Sequence, residues 1–182
     1  MGYRTLVVLM GVGLLVCGCA GSSGGGETET RPADFQLEYN WQAGSLPPPY
    51  HYEYTISIGP DAQGEIVFQP DYPSDKTPVW REPLTVTEAN LDAIYALARE
   101  KGLFSETWQE ATDAPVGGRV EWLEVTANGQ QISLPAFMEQ NAQTIASQEL
   151  YEAIRDLVPE ATWEKLETQR AQYEQEFLAG EE

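Results

Sequence analysis

The sequence offers few side chains that could carry out catalysis. His51 is the only histidine in the chain, so a Ser-His-Asp arrangement would have to use it. No nucleophile-elbow motif lies near His51, and its place on the polar side of an alternating segment predicts a surface or hairpin-edge side chain. A single histidine also excludes zinc sites of the His-Glu-x-x-His type, because those sites need two histidines on one helix face.

Carboxylate groups are so numerous that no pair of them is informative. The chain has 29 acidic and 10 basic residues, and its formal net charge is −19. A glycosidase needs two carboxylates at a set separation in a cleft. Segments 61–65 and 71–75 carry aspartates that could hold calcium, but they lack EF-hand spacing, and turn formation is the favoured interpretation. We therefore predict no catalytic residue, no metal site and no cofactor.

The negative charge also limits the partners of the chain. It opposes binding to nucleic acid and to anionic lipid head groups, because their phosphates carry the same sign of charge. It could attract cations or a basic partner, although a solvated surface that keeps the domain soluble is the simpler interpretation. We expect no nucleic-acid partner.

The most unusual segment, residues 41–54, combines aromatic residues with three consecutive prolines. Trp41, Tyr50, Tyr52 and Tyr54 would place large aromatic side chains on a stiff backbone, which suits a protein interface. Together with Trp122, these residues form a predicted interaction surface. The alternative, which the pattern favours, is that they belong to the core side of a sheet and that the prolines form a stiff connection.

A single domain over residues 33–182 is predicted to position these side chains. Period-two alternation predicts strands over residues 34–41, 51–58, 65–69, 119–126 and 131–134, whereas residues 70–83, with four prolines, are predicted to be irregular. Helices are predicted from Thr87 to a stop at Gly102, from Ser147 to Val158, and from Pro159 onward. The order β-ββα-ββα-α predicts an α+β fold in two layers, an antiparallel sheet of about five strands with helices on one face.

The segment around Asn128-Gly129 predicts a β-hairpin with a tight turn. Centring the turn on these two residues puts four apolar side chains on one face, as a sheet packed on one side requires. The predicted cross-strand pairs are Val125 with Ile132 and Leu123 with Leu134. Trp122 falls on the opposite face with Val120, where it is either covered or part of an exposed apolar patch.

The first residues of the chain predict where the protein resides. Arg4 gives a positive start, and the apolar run from Leu6 to Val16 is too short to span a bilayer, which takes about 20 apolar residues. A charged start, a short apolar core and small residues behind it are typical of a secretory signal peptide. We predict a signal peptide over residues 1–18 and, after Cys19, a flexible tether rich in glycine and serine that ends at residue 32.

The segment Val16-Cys17-Gly18-Cys19 resembles the lipobox of bacterial lipoproteins. The resemblance implies that Cys19 is acylated, becomes the new N-terminus and carries several acyl chains, as stable anchoring requires more than one signal. It further implies a cell-envelope protein, held on the outer side of the cytoplasmic membrane or in the outer membrane, with another envelope protein as the candidate partner. Both cysteines lie in this leader, so the domain is predicted to fold without disulfides.

A helix that ends in Gly-Leu-Phe, then Gly-Gly-Arg, a hairpin and a closing helix occupy about Thr87 to Val158. This order of elements is similar to that of small emfourin-like inhibitors of metalloproteases. The resemblance implies a protease inhibitor and assigns no inhibitory residue. The leading hypothesis is a membrane-anchored lipoprotein whose domain binds another envelope component or is structural. A protease inhibitor is the second, and a hydrolase that uses acidic residues is the least favoured.

Overall fold

The computed structural model describes residues 30–113, 117–138 and 141–180. The predicted signal peptide, Cys19 and most of the predicted tether lie outside the described residues, so these assignments and the domain boundary stay predictions. Within the described ranges no helix is long and apolar enough to cross a membrane. The strands and helices are β1 (Gln36–Gln42), β2 (Glu53–Ile58), β3 (Gln63–Gln69), β4 (Trp80–Thr85), α1 (Glu88–Glu100), β5 (Val120–Ala127), β6 (Gln130–Leu134), α2 (Ala142–Arg155) and α3 (Glu160–Gly180).

The strands form one antiparallel sheet in the spatial order β4-β3-β2-β1-β5-β6. β1 lies near the centre, with Tyr39 opposite Ile56 of β2 on one side and opposite Leu123 of β5 on the other. Successive residues of a strand point to opposite faces, and the buried apolar residues of the strands fall on the same face. This arrangement confirms the predicted α+β fold in two layers.

All three helices pack on that apolar face. Each helix has an aromatic contact that shows its position: the ring centroids of Tyr95 in α1 and Phe35 are 5.2 Å apart. The centroids of Tyr151 in α2 and Tyr39 are also 5.2 Å apart, and those of Trp163 in α3 and Tyr54 are 5.0 Å apart. The core therefore lies between the sheet and the helices, and none of the helices in the described residues covers the other face of the sheet.

The predicted β5–β6 hairpin is confirmed in its register. Asn128 and Gly129 have φ values of 53° and 72°, as a tight two-residue turn of this type requires. Trp122 and Val120 lie on the face away from the helices, as predicted. The carboxylate of Asp34 accepts hydrogen bonds from the backbone N–H groups of both turn residues, at 2.8 and 2.6 Å, so the turn is tied to the start of β1. The observed cross-strand pairs are Leu123 with Leu134 and Val125 with Ile132.

The signals for α1 are also confirmed. The hydroxyl of Thr87 accepts a hydrogen bond from the backbone N–H of Asn90 at 3.1 Å, which satisfies one of the free donors at the start of the helix. Val86 and Leu91, on either side of this cap, are both buried. Gly102 has a φ of +79°, a conformation that glycine adopts without a steric penalty and that ends many helices.

Two predictions about the elements were wrong. Residues 80–83, at the end of the segment predicted to be irregular, form β4 together with residues 84–85 at the sheet edge. Pro83 is tolerated there because an edge strand leaves one row of N–H groups unpaired. The sheet of the described residues therefore has six strands. Helix α2 begins at Ala142, five residues before the predicted start, with the side chain of Asn141 capping the N–H of Gln143 at 2.8 Å. Its first turns were missed because they carry no buried apolar stripe, Ile145 being 66% exposed.

Candidate functional site

A groove lies between the helix-facing side of the sheet and helix α3. It encloses a cavity of about 310 Å³, at the end of the sheet where β1 finishes and β2 starts. Its walls combine aromatic rings with three arginines, and two carboxylates complete its lining. We call this feature the aromatic–arginine groove. Its lining residues are Trp41, Tyr52, Tyr54, Phe68, Trp163, Arg119, Arg155, Arg170, Asp156 and Glu167.

The aromatic wall is a row of rings that stand side by side on neighbouring strands. The rings of Trp41 and Tyr54 have centroids 5.2 Å apart and an interplanar angle of 10°. Those of Tyr54 and Phe68 are 6.2 Å apart at 9°, and Phe68 continues the row to Trp80 at 5.7 Å and 16°. Offset stacking of this kind is a favourable geometry for aromatic pairs. The antiparallel register therefore builds a rigid wall from residues that are far apart in the chain.

The predicted interaction surface is only partly brought together. Trp41 and Tyr54 are buried in the aromatic wall, as the core-side alternative expected, and Tyr52 is half-buried beside them. Tyr50 lies outside the groove in the proline-rich connection and is 46% exposed. Trp122 lies on the opposite face of the sheet, in a separate, smaller depression of about 150 Å³. Three of the five residues thus belong to one site.

Beneath one end of the groove lies a buried carboxylate that sequence reasoning missed. Glu121 of β5 is 6% exposed and accepts hydrogen bonds from four side chains. Its four donors are Tyr39 Oη at 2.8 Å, Gln148 Nε2 at 3.0 Å, Arg119 Nε at 3.2 Å and Arg155 Nη1 at 3.3 Å. Buried charges are stable in proteins only when they are paired and hydrogen-bonded, and Glu121 meets both conditions. It therefore holds two of the groove's three guanidinium groups in place.

The tyrosines around this carboxylate stay protonated at neutral pH. Burial raises the pKa of Tyr54 to about 12, and burial together with the nearby Tyr54 and Glu121 raises the pKa of Tyr39 still further. Because Tyr39 keeps its proton, its hydroxyl can donate to Glu121. These hydroxyl groups act as hydrogen-bond donors in the site and do not supply a base.

The third arginine lies on α3 at the other side of the groove. The guanidinium carbon of Arg170 is 4.5 Å from the centroid of the Tyr52 ring, which is a cation–π geometry. Its Nη1 donates to Glu174 at 2.7 Å, one turn along the same helix. Burial raises the pKa of Tyr52, while the charge of Arg170 opposes that shift. The side chain of Arg170 is 27% exposed, so it lies at the mouth of the groove.

His51 was predicted to lie at the surface or at a hairpin edge, and the surface alternative is wrong. The side chain is buried, with its ring stacked on Tyr72 at a centroid distance of 3.8 Å and an angle of 4°. Nδ1 is 3.3 Å from the carbonyl oxygen of Gly44, and Nε2 is 3.6 Å from a carboxylate oxygen of Glu53. The residue is buried because the segment after β3 folds across the proline-rich connection, a long-range contact that strand alternation does not encode.

The loops considered for calcium are organised by hydrogen bonds to their own protein groups. Asp61 accepts from the backbone N–H of Gln63 at 3.2 Å. Asp71 accepts from the N–H of Tyr72 at 2.7 Å and from the hydroxyl of Tyr173 at 3.2 Å. Across the three described ranges, no group of three or more His, Cys, Asp or Glu side chains has a metal-binding arrangement.

No protein-family model matches this chain, and no curated protein matches its sequence. The similarities to the lipobox of lipoproteins and to emfourin-like inhibitors stay predictions drawn from the residues.

The sequence did contain one signal for the missed part of the site. Glu121 has the same parity in its strand as Leu123 and Val125, so the alternation that predicted the strand also places this carboxylate on the buried face. A charge at such a position needs a cationic partner. The partners themselves, Arg119 and Arg155, are supplied by a loop and a helix whose approach the local pattern does not specify.

Proposed function

We propose that this protein is an exported, lipid-anchored binding protein and that the aromatic–arginine groove is its ligand site. The observation that carries the proposal is the groove itself. Of the ten lysines and arginines in a chain of net charge −19, three line one cavity. A concave site with aromatic walls and a few polar groups is the usual form of a ligand pocket.

The way the chain enters the domain fits an anchor on its N-terminal side. Arg31 pairs with Glu88 and, at 2.7 Å, with Asp92 in the first turns of α1, and this contact precedes the start of β1. The groove lies at the other end of β1, where Trp41 is found. Seven residues of strand span about 20 Å. A chain tethered before Arg31 would therefore hold the groove away from the membrane surface.

The anchor can be tested separately from the groove. Cys19→Ala should release the protein from the membrane fraction, since the acylated thiol is lost, and Cys17→Ala is the matched control that should leave it attached. Immunoblots of membrane and soluble fractions give the readout. Retention of the Cys19→Ala protein in the membrane fraction would show that Cys19 is not the acylation site.

The groove can be tested with a small-molecule fragment library and ligand-observed NMR on the full-length chain in detergent micelles. Trp163→Ala removes the part of the groove wall supplied by α3, so fragments that bind in the groove should lose most of their signal with this variant. Trp122→Ala removes an indole from the opposite sheet face and should leave the same fragments bound. Fragments that respond equally to both substitutions, or to neither, would refute the groove as the ligand site.

Protease inhibition is the second candidate function, and one observation favours it. The order α1, β5, β6 and α2 is the order of elements on which the similarity to emfourin-like inhibitors was based. The full-length protein should then inhibit a zinc metalloprotease of the thermolysin type in a peptide-cleavage assay, while a serine protease serves as the control. Full protease activity at a large molar excess of the protein would exclude this candidate for that class of enzyme.

A further inference from the structure

The composition of the groove indicates which class of ligand it takes, and this inference rests on the proposed function above. Each guanidinium carries five N–H donors in a planar fork. Arg119 uses Nε for Glu121 and Nη2 for Gln148, whereas Arg170 uses Nη1 for Glu174. Within the described part of the chain, Nε and Nη2 of Arg170 have no protein acceptor, so these donors are available to a ligand.

The position of Arg170 favours an anionic ligand group close to the aromatic wall. Its guanidinium is fixed over Tyr52 by the cation–π contact, and the ring forms one wall of the cavity. Arg155 lines the same cavity, and its Nη1 donates to Glu121 at 3.3 Å. Guanidinium groups held in this way bind carboxylates through charge-assisted hydrogen bonds, which are stronger than neutral ones.

The carboxylates of the lining limit how much negative charge the groove accepts. Asp156 and Glu167 lie at its rim and would repel a second anionic group, because like charges at close range in a partly desolvated site destabilise binding. The buried Glu121 already offsets part of the charge of Arg119 and Arg155. The three arginines are balanced by Asp156, Glu167 and the buried Glu121, so the groove has no excess positive charge to hold a dianion. A single anionic group is instead held by the donors of Arg170 that have no protein acceptor.

The size of the cavity sets the scale of the ligand. A volume of about 310 Å³ is at the lower end of the range for small-molecule pockets. It accommodates a ring or a short apolar body with one polar group attached, and it is too small for a folded partner. The half-buried rings of Tyr52 and Trp163 offer apolar surface to that body, backed by the buried rings of Trp41, Tyr54 and Phe68.

We propose that the aromatic–arginine groove binds a small organic monoanion, a carboxylate attached to a planar or apolar body, with the carboxylate near Arg155 and Arg170 and the body against the aromatic wall. The carboxylate can belong to a free metabolite or to a larger envelope molecule. Both present the same group to the same donors.

The test uses three matched probes on the ¹⁵N-labelled full-length chain in detergent micelles: phenylacetate, its neutral amide phenylacetamide, and phenyl phosphate, which carries nearly two negative charges at neutral pH. The readout is the shift of the indole N–H signals of Trp41 and Trp163 at constant ionic strength. Phenylacetate should bind about tenfold more tightly than phenylacetamide, as expected when one charge-assisted interaction is gained. It should also bind more tightly than phenyl phosphate.

Two arginine variants make the result specific. Arg170→Gln should weaken phenylacetate binding about tenfold and phenylacetamide binding clearly less, because only the anion loses a charge-assisted hydrogen bond. Arg81→Gln is the control, because Arg81 is on the other sheet face and pairs with Glu65 at 2.9 Å; it should change neither affinity.

Equal affinity for phenylacetate and phenylacetamide, or tighter binding of phenyl phosphate, would overturn the monoanion proposal and leave the groove as a binding site for another class of ligand. The absence of any shift at Trp41 and Trp163 with all three probes would also overturn it. The fragment screen with Trp163→Ala then decides whether the groove binds ligands at all. The probe titrations therefore test the class of ligand, and the fragment screen separately tests whether the groove binds ligands.

Discussion

Glu121 provides the sharpest test of how this structure is held together. Glu121→Gln keeps the size of the side chain, but it removes the charge and puts an amide NH2 group among four hydrogen-bond donors. The side chain of Glu121 is 4% exposed, whereas those of Arg155 and Arg119 are 25% and 50% exposed. The two guanidinium groups can therefore recover part of their solvation, and the carboxylate position cannot.

The expected loss follows from these exposures. Removing one partner of a fully buried ion pair costs about 3–5 kcal/mol, and hydrogen bonds to a charged group contribute about 1.5–3 kcal/mol each. Because both arginines reach water, the loss is smaller than for a fully buried pair, and we expect Glu121→Gln to reduce the free energy of unfolding by about 2–3 kcal/mol. For a domain of this size that corresponds to a fall in Tm of roughly 4–12 °C.

Urea unfolding followed by tryptophan fluorescence measures this difference, and Glu124→Gln is the matched control. Glu124 is on the same strand but on the opposite face, directly across from Glu38. Its replacement should change stability by no more than about 0.5 kcal/mol, with a slight gain because two like charges no longer face each other. If Glu121→Gln stays within about 0.5 kcal/mol of the unchanged protein, the reasoning about this buried network is refuted.

Two further predictions concern the sheet. Hydrogen bonds from the backbone of the hairpin turn, that of Gly129 first, hold the pKa of Asp34 below its ordinary value of 3.8; its contribution to stability is thus fully present above about pH 3.8 and is lost as the pH falls through the lower folded-state pKa. Asp34→Asn should therefore be less stable than the unchanged protein at neutral pH, and this deficit should shrink as the pH falls below about 3.8. A deficit in urea unfolding that is as large in acid as at neutral pH would contradict this account. Gly64→Ala would place a Cβ 1.9 Å from the backbone oxygen of Ser57, and we expect a loss of about 1–3 kcal/mol from overpacking. Gly180→Ala, which meets no atom within 4 Å, is its control, and equal thermal stability of the two variants would be inconsistent with the predicted clash.

The parts of the fold that could be predicted are those fixed by local signals. The cap at Thr87, the stop at Gly102 and the register of the β5–β6 hairpin each depend on residues only a few positions apart, and all three are confirmed. The strand β4 could not be predicted in this way. A proline is compatible with a strand only at an edge or a bulge, and the position of a strand within a sheet depends on long-range pairing.

The contrast between local signals and long-range packing also explains which residues of the groove could be predicted. Alternation placed Trp41, Tyr52 and Tyr54 on one side of the sheet, and there they form part of one wall. The arginines come from a loop and from two helices, and their convergence depends on how α2 and α3 pack over the sheet. His51 shows the opposite failure, since a residue on the polar side of a strand can be buried when a distant loop such as the one carrying Tyr72 covers it.

The position of β1 has a mechanical consequence. A pull on the chain that precedes Arg31 would pass first through the ion pairs to α1 and then along β1, which is hydrogen-bonded on both sides, to β2 and to β5. Backbone hydrogen bonds in an antiparallel sheet run across the strand direction, so such a force loads them in shear, together, whereas an edge strand could be peeled one bond at a time. The strand that carries Trp41 into the groove therefore resists extension along its whole length, and a pull from its N-terminal side must load that strand before it reaches the groove.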